Sequence, residues 1–471
     1  MLFLTSLQAP APPIVIAGVT VIDAAGSAPS VRNVVVSGDA VSAILEPSRP
    51  LPANATVVRG EGKFLIPGLW DMHVHLAIRP EPELAERTML PLFLANGVVG
   101  VRDMGGPLDR VLSLRARVRD GSLEGPRILT PGPFLDGSGD PDPAFVRVAS
   151  AADAERAVST LLAKGVDFLK VQAGLTPDAY HAIMKAAATR RATVVGHVPM
   201  SIDALDAVRS GQRSIEHISP ALVGDALLLF ACSKKESELL AELRAIEQDR
   251  LTAPATDIRT REVALRRALV DTFDPERAAA TGRAIAGAGT AVVPTLVWSN
   301  SVRPLSAEDD GRDVPMEFVP AATRARWQQR RAEYLKAATS ADYALNAAVA
   351  NTAARAVGAM HAAGARVLAG TDTFDAFVLP GSSLHRELAL LVAAGLTPLE
   401  ALQAATRDAA AFRGTSDREG TIAIGKRADL VLLDADPLRD IANVARVSAV
   451  LRGGRVFARA DLDALLARAR Q

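Results

Sequence analysis

The sequence predicts an α/β protein, namely a (β/α)8 TIM barrel with a small β-sandwich domain formed from both chain ends. Three observations favour this fold. In the middle of the chain, short apolar runs alternate with longer helical patterns, as in βαβ units. Eight such strand–helix pairs follow one another, which favours a closed parallel barrel over an open sheet. Both chain ends instead alternate apolar and polar residues with the two-residue period of half-buried strands.

The barrel strands are predicted from the apolar runs, and each run is followed by a helical pattern. The strands are expected at residues 64–75, 98–103, 127–131, 166–171, 193–198, 214–218, 291–296 and 366–369. The helices are expected at residues 82–96, 108–118, 151–164, 177–188, 202–209, 275–288, 344–363 and 383–394. Several of these helices end at a glycine, as at Gly165, Gly289 and Gly364, which is a common C-terminal helix signal.

Two domains are predicted from the change in pattern. Residues 14–65 and 415–460 together are expected to form the small β-sandwich, because neither segment is long enough for an independent sheet. Residues 66–414 are expected to form the barrel. Helical insertions near 222–274 and 299–343 interrupt its rhythm. Each insertion follows a strand, so we expect both over the face where barrel enzymes keep their active sites.

Composition excludes several classes of protein. The chain has 471 residues, with 53 basic and 53 acidic side chains, so no net charge attracts it to nucleic acid or to anionic membranes. A single cysteine, Cys232, excludes an intrachain disulfide and a cysteine-based zinc site. We therefore expect a small-molecule substrate and neither a nucleic-acid nor a membrane partner. A homo-oligomer is an alternative to a monomer.

The N-terminus leaves the cellular location open. Residues 1–9 are apolar and precede a proline-rich stretch, but they lack the basic start of a signal peptide. They are either the remnant of such a signal or an ordinary terminus. A cytoplasmic and a periplasmic or secreted location both remain open.

Histidines mark the ends of the predicted barrel strands. His73 and His75 are two residues apart, so both side chains point to the same side of strand one and can share a metal ion. His197 ends strand five, His217 ends strand six, and Asp372 follows strand eight. Four imidazoles and one carboxylate at the same barrel mouth predict a metal site, since isolated barrel histidines that only pack do not explain such a set.

Lys170 ends predicted strand four and has two interpretations. A charged ammonium would be repelled by divalent cations nearby. A buried lysine can lose its proton, and the neutral amine could then take up CO₂ to form an anionic carbamate that bridges two metal ions. Alternatively, the stem packs in the barrel and the amine binds substrate. The residues alone leave both interpretations open.

Five segments in this order resemble the amidohydrolase superfamily, and within it the imidazolonepropionase-like and Xaa-Pro or Xaa-Arg dipeptidase-like branch. They are GLWDMHVHL at 68–76, the Lys170 strand, GHVP at 196–199, SIEH at 214–217 and GTDT at 370–373. The tail motif GTIAIGKRADLV at 420–431 extends the resemblance over nearly the whole chain. True imidazolonepropionases lack a lysine at this position. The segment after Lys170 also lacks the Gly-Gly loop of the dipeptidases.

The resemblance implies a ligand set for two divalent metal ions. His73 and His75, with Asp372, would bind the more buried ion. The more exposed ion would be bound by His197 and His217, and a carboxylated Lys170 would bridge the pair. Zinc suits these ligands, although manganese, cobalt and iron also accept them.

This ligand set predicts hydrolysis of an amide bond in a small peptide or N-acyl amino acid. Two metal ions that share a water lower its pKa, so hydroxide is available near neutral pH. Asp372 would accept the proton and pass it to the departing amine. Hydrolysis of a lactone, an ester or an organophosphate by the same centre is the alternative. A non-catalytic scaffold is a third hypothesis. The presence of suitable side chains at all six ligand positions argues against it.

Three further residues near the predicted barrel mouth each have one functional and one structural interpretation. Asp103 ends strand two and is expected either to orient a metal ligand from behind or to cap the following turn. Tyr180 lies on predicted helix four, where packing is the favoured interpretation and contact with substrate is the alternative. His385 follows closely after Asp372 and is expected to support the metal site from behind, or to be structural.

Overall fold

A computed structural model describes residues 12–78, 83–137, 142–218, 227–309, 311 and 313–470. Strands from both chain ends flank a middle region in which strands and helices alternate. The strands are β1 (Ile14–Val21), β2 (Ser30–Ser37), β3 (Ala40–Leu45), β4 (Thr56–Arg59), β5 (Phe64–Pro67), β6 (Leu69–Val74), β7 (Val98–Asp103), β8 (Arg127–Leu129), β9 (Phe134–Asp136), β10 (Phe145–Arg147), β11 (Leu169–Val171), β12 (Val194–Gly196), β13 (Ser214–Glu216), β14 (Ala291–Val293), β15 (Arg366–Val367), β16 (Leu430–Leu433), β17 (Val447–Arg452) and β18 (Arg455–Ala458).

Helices cover most of the remaining described residues. The α-helices are α1 (Leu90–Ala95), α2 (Leu108–Asp120), α3 (Ala151–Ala163), α4 (Pro177–Thr189), α5 (Ala204–Arg209), α6 (Leu227–Phe230), α7 (Glu236–Asp249), α8 (Ala255–Thr272), α9 (Pro275–Ala288), α10 (Leu296–Val302), α11 (Ala321–Ala337), α12 (Ser340–Ala362), α13 (Ser382–Ala393), α14 (Pro398–Ala404), α15 (Arg407–Phe412) and α16 (Arg459–Ala469). A π-helix precedes α1 at Ala85–Met89, and 3-10 helices lie at Met316–Phe318 and Ile441–Ala445.

The two chain ends share one sheet, as predicted. Among the described residues its strand order is β18-β17-β16-β5-β1-β2-β3, and β4 pairs with β1. The junction between the two ends is the antiparallel pair of β16 and β5, in which Val431 faces Ile66. Apolar residues of both ends, such as Ile16 and Leu432, are buried in one cluster. This packing explains why both ends show the two-residue alternation.

The predicted strand at 64–75 is wrong in one respect, because it is two strands that belong to different sheets. β5 pairs with β1 and β16 of the terminal sheet, whereas β6 pairs in parallel with β7. Gly68 separates them. A Cβ at Gly68 would lie 2.3 Å from a methyl carbon of Val99 and 3.0 Å from the carbonyl oxygen of Asp429. Only glycine therefore allows the chain to pass between the two sheets here.

The strands of the middle region are parallel. Within the described residues they form a sheet β6-β7-β8 and a sheet β10-β9-β11-β12-β13-β14-β15. Backbone hydrogen bonds connect these sheets at two places, next to β15 and next to β11. Met72 N donates to Ala369 O at 2.9 Å on one side, and Asp167 N donates to Thr130 O at 2.9 Å on the other. The carboxyl ends of neighbouring parallel strands therefore meet on one side, where the sequence places the candidate ligands.

Observed strand lengths differ from the predicted ones. The predicted strand 166–171 shortens to β11, and 366–369 shortens to β15, because only a few residues of each strand pair on both sides. The sequence prediction missed β9 and β10, which extend one edge as a parallel pair. The fold is thus α/β with a parallel middle region, and the eightfold count stays a prediction.

The predicted helices agree closely with the observed ones. Helix α9 has the predicted bounds, and Gly289 ends it in the left-handed conformation at φ +68°. Both insertions are helical, as α6 to α8 and as α10 to α11. Residues 222–226 of the first insertion, residue 82 of the first predicted helix and the apolar run 1–9 lie outside the described residues. In the part that the structure describes, no helix has the length and apolar character needed to cross a membrane.

Candidate metal centre

The structure brings the predicted ligands together at the carboxyl ends of the parallel strands. His73 lies in β6 and Lys170 in β11, while His197 and His217 directly follow β12 and β13. The imidazole rings form a continuous cluster, with centroid distances of 5.4 Å for His73–His75, 4.8 Å for His73–His217 and 4.9 Å for His197–His217. Lys170 is 1% exposed. Burial is the main cause that lowers the pKa of three of these histidines, and the charge of Lys170 adds to it.

Asp372 completes the cluster. Its Oδ1 lies 3.2 Å from His75 Nε2 and 3.4 Å from His73 Nε2, and its Oδ2 lies 3.9 Å from His217 Nε2. Burial by itself would raise the pKa of Asp372. The hydrogen bond from His75 and the positive charge of the surrounding side chains outweigh burial, so the pKa is lowered overall. Asp372 is therefore a carboxylate at neutral pH.

The surroundings of His73 determine which of its ring nitrogens carries the proton. Burial first, and then the charge of Lys170, lower the pKa of His73 well below its usual value, so the ring is neutral and carries one proton. Glu216 Oε2 lies 2.9 Å from His73 Nδ1 and holds that proton there. His73 Nε2 is buried and makes no hydrogen bond within the described residues. It therefore presents a lone pair to the carboxylate of Asp372.

A cation between the lone pair of His73 Nε2 and the carboxylate of Asp372 would stabilise both groups. His75 faces the same carboxylate, with its Nδ1 3.1 Å from the carbonyl oxygen of Gly105 and its Nε2 3.2 Å from Asp372 Oδ1. Ligand atoms of His73, His75 and Asp372 all lie within 4.8 Å of one another, a spacing that can hold a metal ion. Imidazole nitrogens fixed by acceptors on their other nitrogen are typical metal ligands. These residues fit a divalent cation.

Behind His73, a buried charge network fixes Glu216. Arg102 donates from Nη2 to both carboxylate oxygens at 2.8 Å, and its Nε donates to Met72 O at 2.6 Å. Ser214 donates to the same carboxylate. The sequence interpretation missed these residues, although two signals were present. Arg102 is a charged residue that follows an apolar run in β7, and Glu216 directly precedes His217.

Asp71 fixes the segment that carries Asp372. Its Oδ2 accepts from Thr371 Oγ1 at 2.7 Å, and its Oδ1 accepts from Thr371 N at 3.0 Å and from His73 N at 3.2 Å. One buried carboxylate thus ties β6 to the loop after β15. Burial raises the pKa of Asp71 to about 7.

The backbone around the cluster is strained at three non-glycine residues. His217, Asp372 and Thr295 have φ values of +67°, +61° and +46°, in the left-handed region. Such conformations cost on the order of 1–3 kcal/mol each and persist only where the surroundings impose them. Thr295 Oγ1 lies 2.7 Å from His217 Nδ1, so two of the strained residues contact each other.

Asp103 lies behind His75. Its Oδ1 accepts from Leu76 N and its Oδ2 accepts from Thr130 Oγ1, both at 2.8 Å. Burial raises the pKa of Asp103. The side chain thus holds the backbone directly after His75, a placement that suits the predicted orienting role.

Two other predicted roles need correction. Tyr180 is 0% exposed and its hydroxyl donates to Gln212 Oε1 at 3.0 Å, so we assign it to packing rather than to substrate contact. His385 Nε2 lies 2.9 Å from the carbonyl oxygen of Asn96. Asn96 precedes the amino end of β7, opposite the strand end that carries Asp103. His385 therefore ties α13 to this loop rather than supporting the cluster.

Comparison with known proteins decides the family. The model of the Amidohydrolase family matches residues 64–280 and 316–457, which include every residue of the cluster. This chain belongs to the amidohydrolase family. The superfamily resemblance found in its motifs is thereby confirmed. Members of this family are hydrolases that generally use metal ions, and the cluster of His73, His75 and Asp372 agrees with that property.

Solved structures extend the likeness of this amidohydrolase over the whole chain. Bottromycin amidohydrolase is 26% identical with a TM-score of 0.75, over 97% of this chain and 90% of that one. A Bifidobacterium longum protein described as a prolidase is 23% identical with a TM-score of 0.65, over 98% and 99%. An Xaa-Pro dipeptidase with methionine in its active site is 19% identical with a TM-score of 0.65, over 95% and 100%. No curated protein matches the chain in sequence.

Proposed function

We propose that this amidohydrolase is a metal-dependent hydrolase that cleaves the amide bond of a small peptide or N-acyl amino acid. One observation carries the proposal. His73 Nε2 faces the carboxylate of Asp372 at 3.4 Å in a buried site and has no hydrogen bond among the described residues, an arrangement that a bound cation would stabilise. The likeness to bottromycin amidohydrolase, a protein named for amide hydrolysis, supports the same bond type.

The six clustered residues would hold two divalent ions, with zinc as the expected metal. His73, His75 and Asp372 would bind one ion, and His197 and His217 the other. Lys170, converted to a carbamate by CO₂, would bridge them. The low pKa values of His73, His197 and His217, caused mainly by burial, support this role because a ligating imidazole must be neutral. Bound metal would supply Lewis acidity and a water nucleophile near neutral pH.

Asp372 is the residue that would move the proton. As a buried carboxylate it accepts a proton from the attacking water and then donates it to the departing amine. Asp71 holds the preceding residue, Thr371, through two hydrogen bonds and so fixes the backbone from which Asp372 extends toward His73 and His75. A catalytic base that is already held in position lowers the entropic cost of reaching the reactive geometry.

The architecture around this centre is part of the proposal. The two parallel sheets, hydrogen-bonded to each other at two places, would close as a (β/α)8 barrel over residues 66–414. Residues 14–65 and 415–460 would form the β-sandwich. The substrate would be a small molecule, and the protein would act without nucleic acid or membrane, as a monomer or a homo-oligomer.

The test is metal analysis of the untreated protein beside a Lys170→Ala variant. Lys185→Ala, an exposed lysine on α4, is the matched control. About two ions per chain in the wild type and in the control, with fewer in Lys170→Ala, is the expected result. One ion in all three proteins would remove the bridging role of Lys170. No metal in any folded protein would overturn the proposal.

An activity panel then separates the bond types. Amides, lactones, esters and phosphotriesters would be offered to the metal-loaded protein. Hydrolysis of N-acyl amino acids or dipeptides at the highest kcat/KM is expected. Preference for a lactone or a phosphotriester would keep the metal centre and replace the substrate class.

A further inference from the structure

A cavity lies close to the candidate metal centre, and the side chain of Trp298 separates the two. It has a volume of about 290 Å³, and Trp298 and Asp375 form part of its wall. The ring of Trp298 also contacts His217, at a centroid distance of 4.8 Å. Asp375 is three residues beyond Asp372. Trp298 therefore lies in contact with both the cavity and the metal ligand His217.

The cavity is built by the second insertion and by the loop after β15. Trp298 belongs to α10, Trp327 belongs to α11, and Phe377 belongs to the loop. These three rings are 3%, 6% and 4% exposed, so they are held in the interior. Trp327 contacts Phe377 at 5.9 Å between centroids. Three packed rings form a surface that suits a flat apolar group.

Two charged side chains of the cavity wall, Arg331 and Asp375, contact other residues of the wall. Arg331 lies over the Phe377 ring at 4.2 Å and donates to Asp309 O at 2.7 Å and to Ser301 O. Asp375 Oδ2 accepts from Trp298 Nε1 at 3.0 Å. These contacts join the insertion to the loop after β15 and fix the rings. The cavity thus keeps its shape without an occupant.

Ser301 is one of the residues that line the cavity. It is 4% exposed, and its hydroxyl has no hydrogen-bond partner among the described residues. A buried hydroxyl without a partner costs free energy unless a bound group supplies the hydrogen bond. The cavity therefore combines aromatic walls with one polar side chain that lacks a hydrogen-bond partner among the described residues.

We infer that this cavity binds an aromatic side chain of the substrate, next to the amide bond that is cleaved, and so determines specificity. Its volume of about 290 Å³ suits one ring-sized group rather than a drug-sized molecule. Arg330 and Arg331 in the wall disfavour a cationic side chain. Ser301 would bind a hydroxyl on the ring. The inference rests on the proposed amide hydrolysis and names its substrate class, N-acyl aromatic amino acids.

The test compares kcat/KM for N-acetyl-phenylalanine, N-acetyl-tyrosine, N-acetyl-alanine and N-acetyl-lysine. The wild type should prefer the aromatic substrates over alanine by roughly tenfold or more and should disfavour lysine. Trp327→Ala should lower the ratio of phenylalanine to alanine roughly tenfold, with the alanine rate nearly unchanged. Gln328→Ala, an exposed neighbour on the same helix, is the control and should keep the wild-type ratio.

Two further variants make the assignment sharper. Ala376→Trp fills the cavity and should abolish the aromatic preference while N-acetyl-alanine is still cleaved. Ser301→Ala should lower the ratio of tyrosine to phenylalanine by roughly two- to tenfold, as the loss of one hydrogen bond predicts. A ratio of phenylalanine to alanine that is the same in wild type, Trp327→Ala and Ala376→Trp would overturn the inference.

The experiments distinguish an error in the cavity assignment from an error in the proposed function. Cleavage of N-acetyl-alanine by the metal-loaded protein without any aromatic preference would overturn the cavity assignment alone. If no N-acyl amino acid is cleaved, binding of N-acetyl-phenylalanine is measured directly by calorimetry. Binding that Trp327→Ala abolishes and Gln328→Ala keeps would still support the cavity. Absence of binding to the wild type would overturn it.

Discussion

Glu216 Oε2 lies 2.9 Å from His73 Nδ1, and both side chains are completely buried. Arg102 neutralises the carboxylate through two further bonds of 2.8 Å. The proton of His73 is thereby held on the side away from Asp372, and the nitrogen that faces Asp372 is left with its lone pair. A chain of three buried side chains thus decides which atom of His73 can bind a metal.

Glu216→Gln should weaken metal binding roughly 10- to 100-fold. The amide still accepts a hydrogen bond from His73, but it supplies no negative charge to the imidazole, which becomes a poorer ligand. Competition with a chromogenic chelator measures the apparent Kd. Glu238→Gln, a largely exposed residue of α7, should behave as the wild type. Unchanged affinity in a folded Glu216→Gln protein would contradict the assigned role.

Asp372→Asn should lower kcat by roughly 10²- to 10⁴-fold, because the amide cannot accept and return the proton. Its oxygen can still face a metal ion, so part of the metal should remain bound. Parallel measurement of kcat and of metal content separates the two effects. Asp417→Asn, an exposed carboxylate, is the control. A variant that keeps both its metal and its kcat would assign the proton transfer to another group.

Tyr180→Phe should lower stability and leave substrate binding unchanged. The hydroxyl of Tyr180 is the donor to Gln212 Oε1, and Gln212 Nε2 in turn donates to the carbonyl oxygens of Gly196 and His197. Loss of the hydroxyl leaves a buried amide oxygen with one partner fewer, at a cost of about 1–3 kcal/mol in the free energy of unfolding. Urea unfolding and KM measure the two properties. A raised KM at unchanged stability would restore the substrate role.

Ionisation of the buried Glu387 carboxyl group should lower the free energy of unfolding as the pH rises through neutrality. Burial raises its pKa from the usual 4.5 to about 8, against the opposing effect of hydrogen bonds from Val297 N and Leu296 N. Between these values the folded protein holds a proton that the unfolded chain has released. The stabilising contribution is therefore complete below pH 4.5 and is lost by pH 8, with a slope of up to about 1.4 kcal/mol per pH unit.

The measurement compares urea unfolding of the wild type and of Glu387→Gln from pH 5 to pH 8.5. The variant cannot ionise, so the difference in unfolding free energy between it and the wild type isolates Glu387. The wild type should lose stability relative to the variant as the pH rises. A difference that is constant across this range would mean that Glu387 is not protonated in the folded protein at pH 5.

The sequence by itself determined the family and the local chemistry of this protein. Strand-ending motifs at His73, His197 and His217 are short and contiguous, so their residue types and spacing are visible without coordinates. Helices with strong end signals were predictable for the same reason, and α9 has its predicted bounds. These features depend on neighbours within a few residues along the chain.

Only the tertiary structure decided what lies behind and beside the ligands. Arg102 and Glu216 are 114 residues apart, and Asp71 and Thr371 are 300 residues apart, yet both pairs are bonded. No short-range pattern reports such contacts, because they depend on which strands become neighbours when the sheets assemble. The same reason explains why the sequence left the roles of Tyr180 and His385 open. Their partners, Gln212 and Asn96, come from other elements, and burial against those partners outweighs proximity to the site in the sequence.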